Sequence, residues 1–233
     1  MDQYLLADTE LYYSTSIDLK SQMIIVKGDE SNHILNVMRH RIGDEILITN
    51  GAGKIFSCVI ENISQENVIS RIQRESSYTE KFPNITFCIP KLRSSDRFEF
   101  AIEKCTELGI TNFIFFQAER AISKSFNQKR IEKILVSAMK QSLQSWCPRV
   151  RYNDSITEIS LLPGEKIIFD QLAAHNFDSR NIKPEINYFF YFGPEGGFTH
   201  AELTILSEST KYKLAENRLR SETAIIKAAS LLI

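Results

Sequence analysis

Residues 189–202 read FFYFGPEGGFTHAE. Four apolar residues without polar alternation end in Gly193-Pro194-Glu195-Gly196-Gly197. Thr199 and Glu202 follow at the spacing of a capping box, which marks a helix start. A strand apolar on both faces belongs inside a parallel sheet. Similar runs stand at 85–89 (ITFCI), 112–117 (NFIFFQ), 166–170 (KIIFD) and 187–192 (NYFFYF), with YKLA (211–214) as a further strand. Helical patterns lie between them. Ser94-Ser95-Asp96 can cap a helix with Phe98, Ile102, Cys105 and Leu108 at helical spacing and Gly109 as its stop. Asn127 opens a longer one, with Ile131, Ile134, Leu135 and Ala138 on one face. Strands alternating with helices predict an α/β sheet. Ligands of such sheets sit beyond the carboxyl ends of the strands, where Gly193–Gly197 falls.

The first third has another grammar. QYLLA (3–7), QMIIVKG (22–28), DEILITN (44–50), KIFSCVI (54–60) and NVISRIQ (67–73) are short, Ile- and Val-rich strand runs. Asn50-Gly51-Ala52-Gly53 is a hairpin turn whose glycines accept positive φ. One helical insert, Asp29 to Arg39, carries Ile34, Val37 and Met38 on one face. Strands with a single helix predict a small barrel. ESSYTEKFPN (75–84) reads as the linker, which gives domains 1–74 and 75–233.

Composition sets bounds. The 233 residues carry a formal charge of -1 and are 43% hydrophobic, with no run long enough to span a membrane. MDQYLLADTE has acid where a secretory signal needs base. The four cysteines, Cys58, Cys88, Cys105 and Cys147, lie apart in apolar stretches, as buried thiols of a reducing, cytoplasmic compartment do. No C-x-x-C pair or histidine cluster suggests a metal. Charge is uneven: residues 76–151 hold 13 Lys+Arg against 7 Asp+Glu, while the flanking segments are net acidic. A basic middle third suits a localised anionic partner such as a phosphate backbone, or a solvated helix face.

Neither common nucleotide loop fits 193–197. The dinucleotide fingerprint needs G-x-G-x-x-G at the start of a βαβ unit, and the P-loop needs a lysine where Glu195 repels phosphate. Two readings remain, a ligand read through backbone groups, such as an adenine edge, and a tight structural turn. The tail bears on the choice. Residues 214–224, LAENRLRSETA, run from a strand through Asn217, Arg218 and Arg220 into a helix with Glu222 in its first turn, where acid is favoured. Arg220 should open on the same sheet edge as the glycine loop. The final AIIKAASLLI ends without a stop signal, as a chain that continues slightly further would.

GPEGG with T-x-x-E, followed by L-x-x-x-R-L-R-S-E-T-A, resembles the RsmE family. So do SNHILNVMRHRIGDEILITNGAGKIF (31–56), Lys91-Leu92, Glu103–Gly109 with its T-E-L-G, Ala118-Glu119-Arg120 and AMKQSLQSWCP (138–148). The resemblance spans most of the chain. It implies an N-terminal PUA-like RNA-binding β-barrel and a C-terminal α/β SPOUT methyltransferase domain with a deep trefoil knot. It implies S-adenosylmethionine-dependent methylation of N3 of a uridine in 16S rRNA of the small ribosomal subunit, by a homodimer without metal. Alternatives are a SPOUT enzyme for another RNA and an RNA-binding assembly factor that has lost catalysis.

Carried onto this chain, the resemblance implies cofactor contacts from Phe192, Gly193, Gly196, Gly197, Leu214, Leu219 and Thr223. Methylation at N3 needs the imide proton removed and the anion stabilised. Arg220 is the candidate for stabilisation, and Glu195 and Glu222 are candidate bases. RNA contacts are expected from Arg39, Arg41, Lys91, Arg93, Arg120, Lys124 and Arg149, with steep salt dependence of binding. The chain departs from the family at Ala215, usually Gly, at Ser221, usually Thr, and at Gln144, commonly Arg. If position 215 needs positive φ, alanine there costs about 1 kcal/mol or more.

Overall fold

The computed structural model describes residues 9–64, 67–121 and 125–233. The expected strand at 3–7 lies outside them. By contact the chain forms two units. One comprises the described residues up to Glu80 together with Met139–Cys147; the other comprises Lys81–Ala138 and Pro148–Ile233.

The first unit is a six-stranded sheet of β1 (Leu11–Tyr13), β2 (Ile17–Asp18), β3 (Met23–Val26), β4 (Glu45–Thr49), β5 (Lys54–Ser64) and β6 (Asn67–Ser77). Their order is β1-β4-β5-β6-β3-β2. β1 pairs parallel with β4 and every other pair is antiparallel. β1 and β2 occupy opposite edges, yet only residues 14–16 separate them, so the sheet must curl into a half-barrel. Ser14 bridges the strands next to those edges: its N–H donates to Thr49 O of β4 (3.1 Å) and its hydroxyl to Ile25 O of β3 (2.7 Å). Register shifts at Ser57/Cys58 and Ile60/Asn62 supply local bends. Ile24, Val26, Ile46, Ile48, Phe56, Cys58, Ile60 and Val68 fill the concave side at a period of two. β1 and β2 are too short to show as runs in the sequence.

The helical insert is α1 (Gly28–Asn32), which widens into a π-helical segment, His33–Val37. Arg39, at φ +60°, ends it. In the β4–β5 turn Gly51 and Gly53 have φ +67° and +90°. The Asn50 side chain accepts from Ala52 N and Lys54 N at 2.8 and 3.1 Å. Trp146 closes over this turn: its Nε1 donates to Tyr78 O at 2.9 Å, and its ring lies 2.6 Å from where a Gly53 Cβ would stand. Gly53→Ala therefore meets both a left-handed backbone and an aromatic ring that Tyr78 holds in place. The expected loss is about 2 kcal/mol or more, read as a lower midpoint in urea unfolding.

The second unit is wholly parallel: β7 (Ile85–Pro90), β8 (Asn112–Phe116), β9 (Arg149–Asn153), β10 (Glu165–Phe169), β11 (Tyr188–Tyr191) and β12 (Thr210–Tyr212), in the order β12-β10-β11-β7-β8-β9. Alternate residues of each strand face opposite layers. Phe87, Ile89, Phe113, Phe115, Phe190 and Phe192 pack under α2 (Ser95–Glu107), α3 (Gln128–Gln141) and α6 (Ser221–Ser230). Cys88, Ile114, Phe116, Phe189 and Tyr191 pack under α4 (Ile156–Ser160) and α5 (His200–Ile205). Both faces being covered is why the strands read as continuous apolar runs. β9 reads RVRYN; as an edge strand it tolerates arginines and carries no such run. The caps form as expected: Ser94 accepts from Arg97 N at 3.4 Å, and Asn127 from Arg130 N at 3.2 Å. Cys58, Cys88 and Cys105 are buried free thiols, and burial raises the Cys58 pKa to about 12.

Candidate active site

β7 and β11 are neighbours, but the chain leaves them in opposite directions, toward β8 and toward β12. That is the switch point at which a parallel sheet opens a crevice at its carboxyl edge. A cavity of about 830 Å³ lies there. The end of β10 with Asp170 and Gln171, the loop 192–198, the loop 214–222 and Arg97 of α2 form its walls.

The glycine loop is held from three sides. Glu195 accepts from Arg93 N (3.0 Å), and Gly196 O accepts from Arg120 Nη1 (2.7 Å). Thr199 and Glu202 complete the capping box, with Glu202 N to Thr199 Oγ1 at 3.2 Å and Thr199 N to Glu202 Oε2 at 2.7 Å. The other Glu202 oxygen accepts from Glu119 N at 3.0 Å, so this buried carboxylate also ties down the loop after β8. Gly197, at φ +67°, needs to be glycine. Gly193 does not need it for its backbone; it lines the cavity, and a Cβ there would only touch Gly197 Cα and the Phe198 ring at 3.6 Å.

The second loop carries the charges. Arg220 takes the N-cap position of α6 with extended backbone (φ −72°, ψ 156°) and caps nothing with its side chain. Its carbonyl accepts from Ala224 N at 2.9 Å, while its side chain is exposed and makes no hydrogen bond or ion pair among the described residues. Glu222 is only 12% exposed; Arg97 Nε stands 3.6 Å from its Oε1, while its Oε2 is buried without a hydrogen-bond partner. Ala215 lines the cavity and is not among the residues with positive φ. The expected backbone strain is therefore absent, and the residue acts only through its methyl group. Ala215→Gly should shift cofactor affinity by less than about threefold in a calorimetric titration, since one methyl group is the only change.

Phe192, Gly193, Glu195, Gly196, Gly197, Leu214, Leu219, Arg220 and Glu222 thus meet in one cavity. Thr223 does not: it is exposed on α6, outside the lining. Arg97 and Asp170 belong to the site and were not singled out by the sequence. Asp170 directly follows a buried strand, a position that could have marked it.

The expected RNA contacts fare differently. Arg39 and Arg41 are exposed, and His40 between them is clamped by Tyr12 OH at 3.1 Å and Asp44 at 3.3 Å. The Arg93 side chain is exposed, and Arg120 is exposed but bonded to Gly196. Lys124 lies outside the described residues. Lys91 is not a surface arm: it is 7% exposed, with its ammonium 5.3 and 5.2 Å from the Phe98 and Phe126 rings, and burial lowers its pKa. Arg149 bonds Asn112 (2.9 Å) at the amino ends of β9 and β8, the sheet edge opposite the cavity.

A concave site with glycine main chain and apolar walls, and with Arg97, Arg218, Arg220, Asp170, Glu195 and Glu222 at its charged parts, suits a ligand that has both apolar and charged groups. Comparison with known proteins agrees. The family model described as an RNA methyltransferase domain matches residues 80–233, and an RNA methyltransferase PUA domain matches 26–73. The ribosomal RNA small subunit methyltransferase E of Bacillus subtilis is 29% identical over 223 residues, covering 88% of this chain and 87% of that one. The protein of that name from Mycobacterium bovis is 25% identical over 233 residues, covering 92% and 87%. A probable rRNA-methyltransferase from Porphyromonas gingivalis superposes with a TM-score of 0.82 at 29% identity over 95% of each chain. The structure of a ribosomal RNA small subunit methyltransferase E from Neisseria gonorrhoeae, bound to S-adenosyl methionine, gives 0.83 at 25% identity over 95% of each.

Proposed function

The chain belongs to the RsmE family of RNA methyltransferases, and on that premise we propose that it methylates N3 of a uridine in 16S rRNA of the small ribosomal subunit, with S-adenosylmethionine as donor. The observation that carries the reading is the meeting of a bare glycine loop, an unpaired Arg220 and an unsatisfied Glu222 oxygen in one cavity. When bound, S-adenosylmethionine supplies an electrophilic methyl group on sulfonium. The residues present fit it: main chain at 192–197 and 214–219 can read an adenine edge, and Glu222 offers negative charge to a cationic ligand.

The chain's own residues then have distinct work. Arg220 places its guanidinium beside O2 or O4 of the uracil and favours the imide anion. Of the two candidate bases, Glu195 is exposed and gives one oxygen to Arg93 N, whereas Glu222 is mostly buried and has an oxygen that no group in the fold satisfies. Glu222 takes the N3 proton, and Arg97 holds its other oxygen. The nitrogen lone pair so released would take the methyl group as its bond to the sulfonium breaks and that electron pair returns to sulfur. Arg39, Arg41, Arg93 and Arg120 remain the surface cations for RNA, and their contribution should fade as salt rises. The same reading includes the trefoil knot, homodimerisation and a cytoplasmic place of action. No helix among the described residues is long and apolar enough to cross a membrane. Ala215, the departure that best suited a catalytically silent assembly factor, loses that weight without backbone strain.

The test is labelled-methyl transfer to small ribosomal subunits from a strain lacking this protein, with nucleoside mass spectrometry of the product. The expected product is 3-methyluridine in the rRNA. Cofactor binding without transfer would point to another RNA, and loss of both would overturn the enzyme reading.

A further inference from the structure

A second, smaller pocket lies at the same carboxyl edge. Lys91, Ser95, Asp96, Glu99, Asn127 and Arg130 line it together with apolar side chains. Lys91 directly follows β7, and its N–H donates to Phe116 O at 3.1 Å at the end of β8, which fixes its backbone between the two strands. The first turns of α2 and α3 both border the pocket, so the positive dipole ends of two helices come to one place. The helices are 13 and 14 residues long.

Lys91 supplies the independent sign of a ligand. More than nine-tenths of it is buried, it lines the pocket, and its ammonium makes no hydrogen bond or ion pair among the described residues. It stands over the ring faces of Phe98 and Phe126. Glu99, a carboxylate of the same pocket, gives both oxygens to Arg130, at 2.5 and 2.7 Å. The Lys91 stem is buried and its ammonium, without an acceptor in the fold, is left to the pocket. Burial accordingly lowers the Lys91 pKa, against the pull of Glu99. Among the side chains, Asp96 and Glu99 offset Lys91 and Arg130, so the two helix ends leave the pocket net positive by about one charge.

We infer that this pocket binds a single phosphate group, taken by Lys91, the Ser95 hydroxyl and the amino ends of α2 and α3. The source is either an RNA backbone phosphodiester or free phosphate. α2 ties the pocket to the larger cavity, because its Arg97 lines that cavity while Ser95, Asp96 and Glu99 line this one. The RNA form of the inference rests on the methyltransferase reading: a phosphate held here would fix the strand beside the reacting uridine. The free-phosphate form does not rest on it.

The experiment titrates full-length protein with inorganic phosphate, following backbone amide shifts in NMR, and separately with a short single-stranded RNA. A second copy of that RNA carries neutral methylphosphonate linkages. Shifts are expected at Ser95, Asp96 and Gln128. Lys91→Met should weaken phosphate binding by roughly tenfold to a hundredfold, as loss of a charge-assisted contact does. Its thermal midpoint should hold, because methionine keeps the buried stem packed against the two rings. Ser95→Glu is the second variant. An acid at the first residue of α2 favours the helix but repels an anion, so it should stay folded and lose phosphate. If the methylphosphonate RNA binds as weakly as Lys91→Met binds the natural RNA, the ligand is the backbone. If only inorganic phosphate depends on Lys91, the ligand is the free ion. Unchanged binding of both probes in both variants overturns the inference, even where wild-type protein methylates rRNA. Conversely, Lys91-dependent phosphate binding in a protein that never transfers methyl would sink the enzyme reading and leave this one standing.

Discussion

Arg220→Ala is expected to leave S-adenosylmethionine affinity within about threefold and to lower turnover on rRNA by roughly a hundredfold to a thousandfold, the loss typical of removing one donor to a developing anion. The two halves of that expectation come from one geometry. Arg220 sits at the amino end of α6 with its side chain unpaired, so no helix cap and no ion pair depends on it. Its removal should therefore leave the fold and the glycine loop intact. The reaction needs negative charge on the uracil oxygens only once the imide proton leaves, so the guanidinium acts on the transition state more than on ground-state binding. Single-turnover methylation beside a calorimetric cofactor titration separates the effects. A variant that loses cofactor affinity in parallel with turnover would make Arg220 a binding residue, and one that keeps full turnover would remove it from the mechanism. Arg220→Lys keeps a charge without the planar fork and should restore only part of the rate.

The α/β unit was legible because both its faces are covered. Phe87, Phe113, Phe190 and their alternates have no solvent side, so the strands appear as unbroken apolar runs. The glycine loop was legible through Gly197 and the Thr199–Glu202 box, which are local chemistry. What the sequence hid is what depends on long-range packing. Arg97 enters the site only because α2 lies beside α6, and Glu202 reaches Glu119 N across 83 residues. Lys91 read as one more surface cation of a basic segment, whereas two rings bury it. Arg149 falls at the wrong edge because a charge count carries no strand direction. Residues 139–147 follow α2 and β8 in sequence but make their contacts with the first unit, through Trp146 over the β4–β5 turn and Lys140 on Glu30 at 2.7 Å.

Glu222→Gln separates a base from a helix-capping acid. As a favourable charge in the first turn of α6, Glu222 contributes about 0.3–1 kcal/mol, so the glutamine variant should unfold only slightly earlier. As the proton acceptor it contributes far more to rate, and turnover should fall by roughly a hundredfold to ten-thousandfold. The pH dependence tells the roles apart. Without a base, the enzyme can use only uridine already ionised in solution, and that fraction grows tenfold per pH unit below the imide pKa. The variant's rate should therefore climb with pH and approach the wild-type rate at alkaline pH. A merely structural glutamate would give a pH profile parallel to that of the wild type. Arg97→Gln makes the complementary test. Arg97 stands 3.6 Å from Glu222 Oε1, while Oε2 is buried without a partner, so loss of Arg97 frees the carboxylate to rotate without removing it. Turnover should fall by less than in Glu222→Gln, and the double variant should be no worse than Glu222→Gln alone, because Arg97 acts through the carboxylate that is already gone.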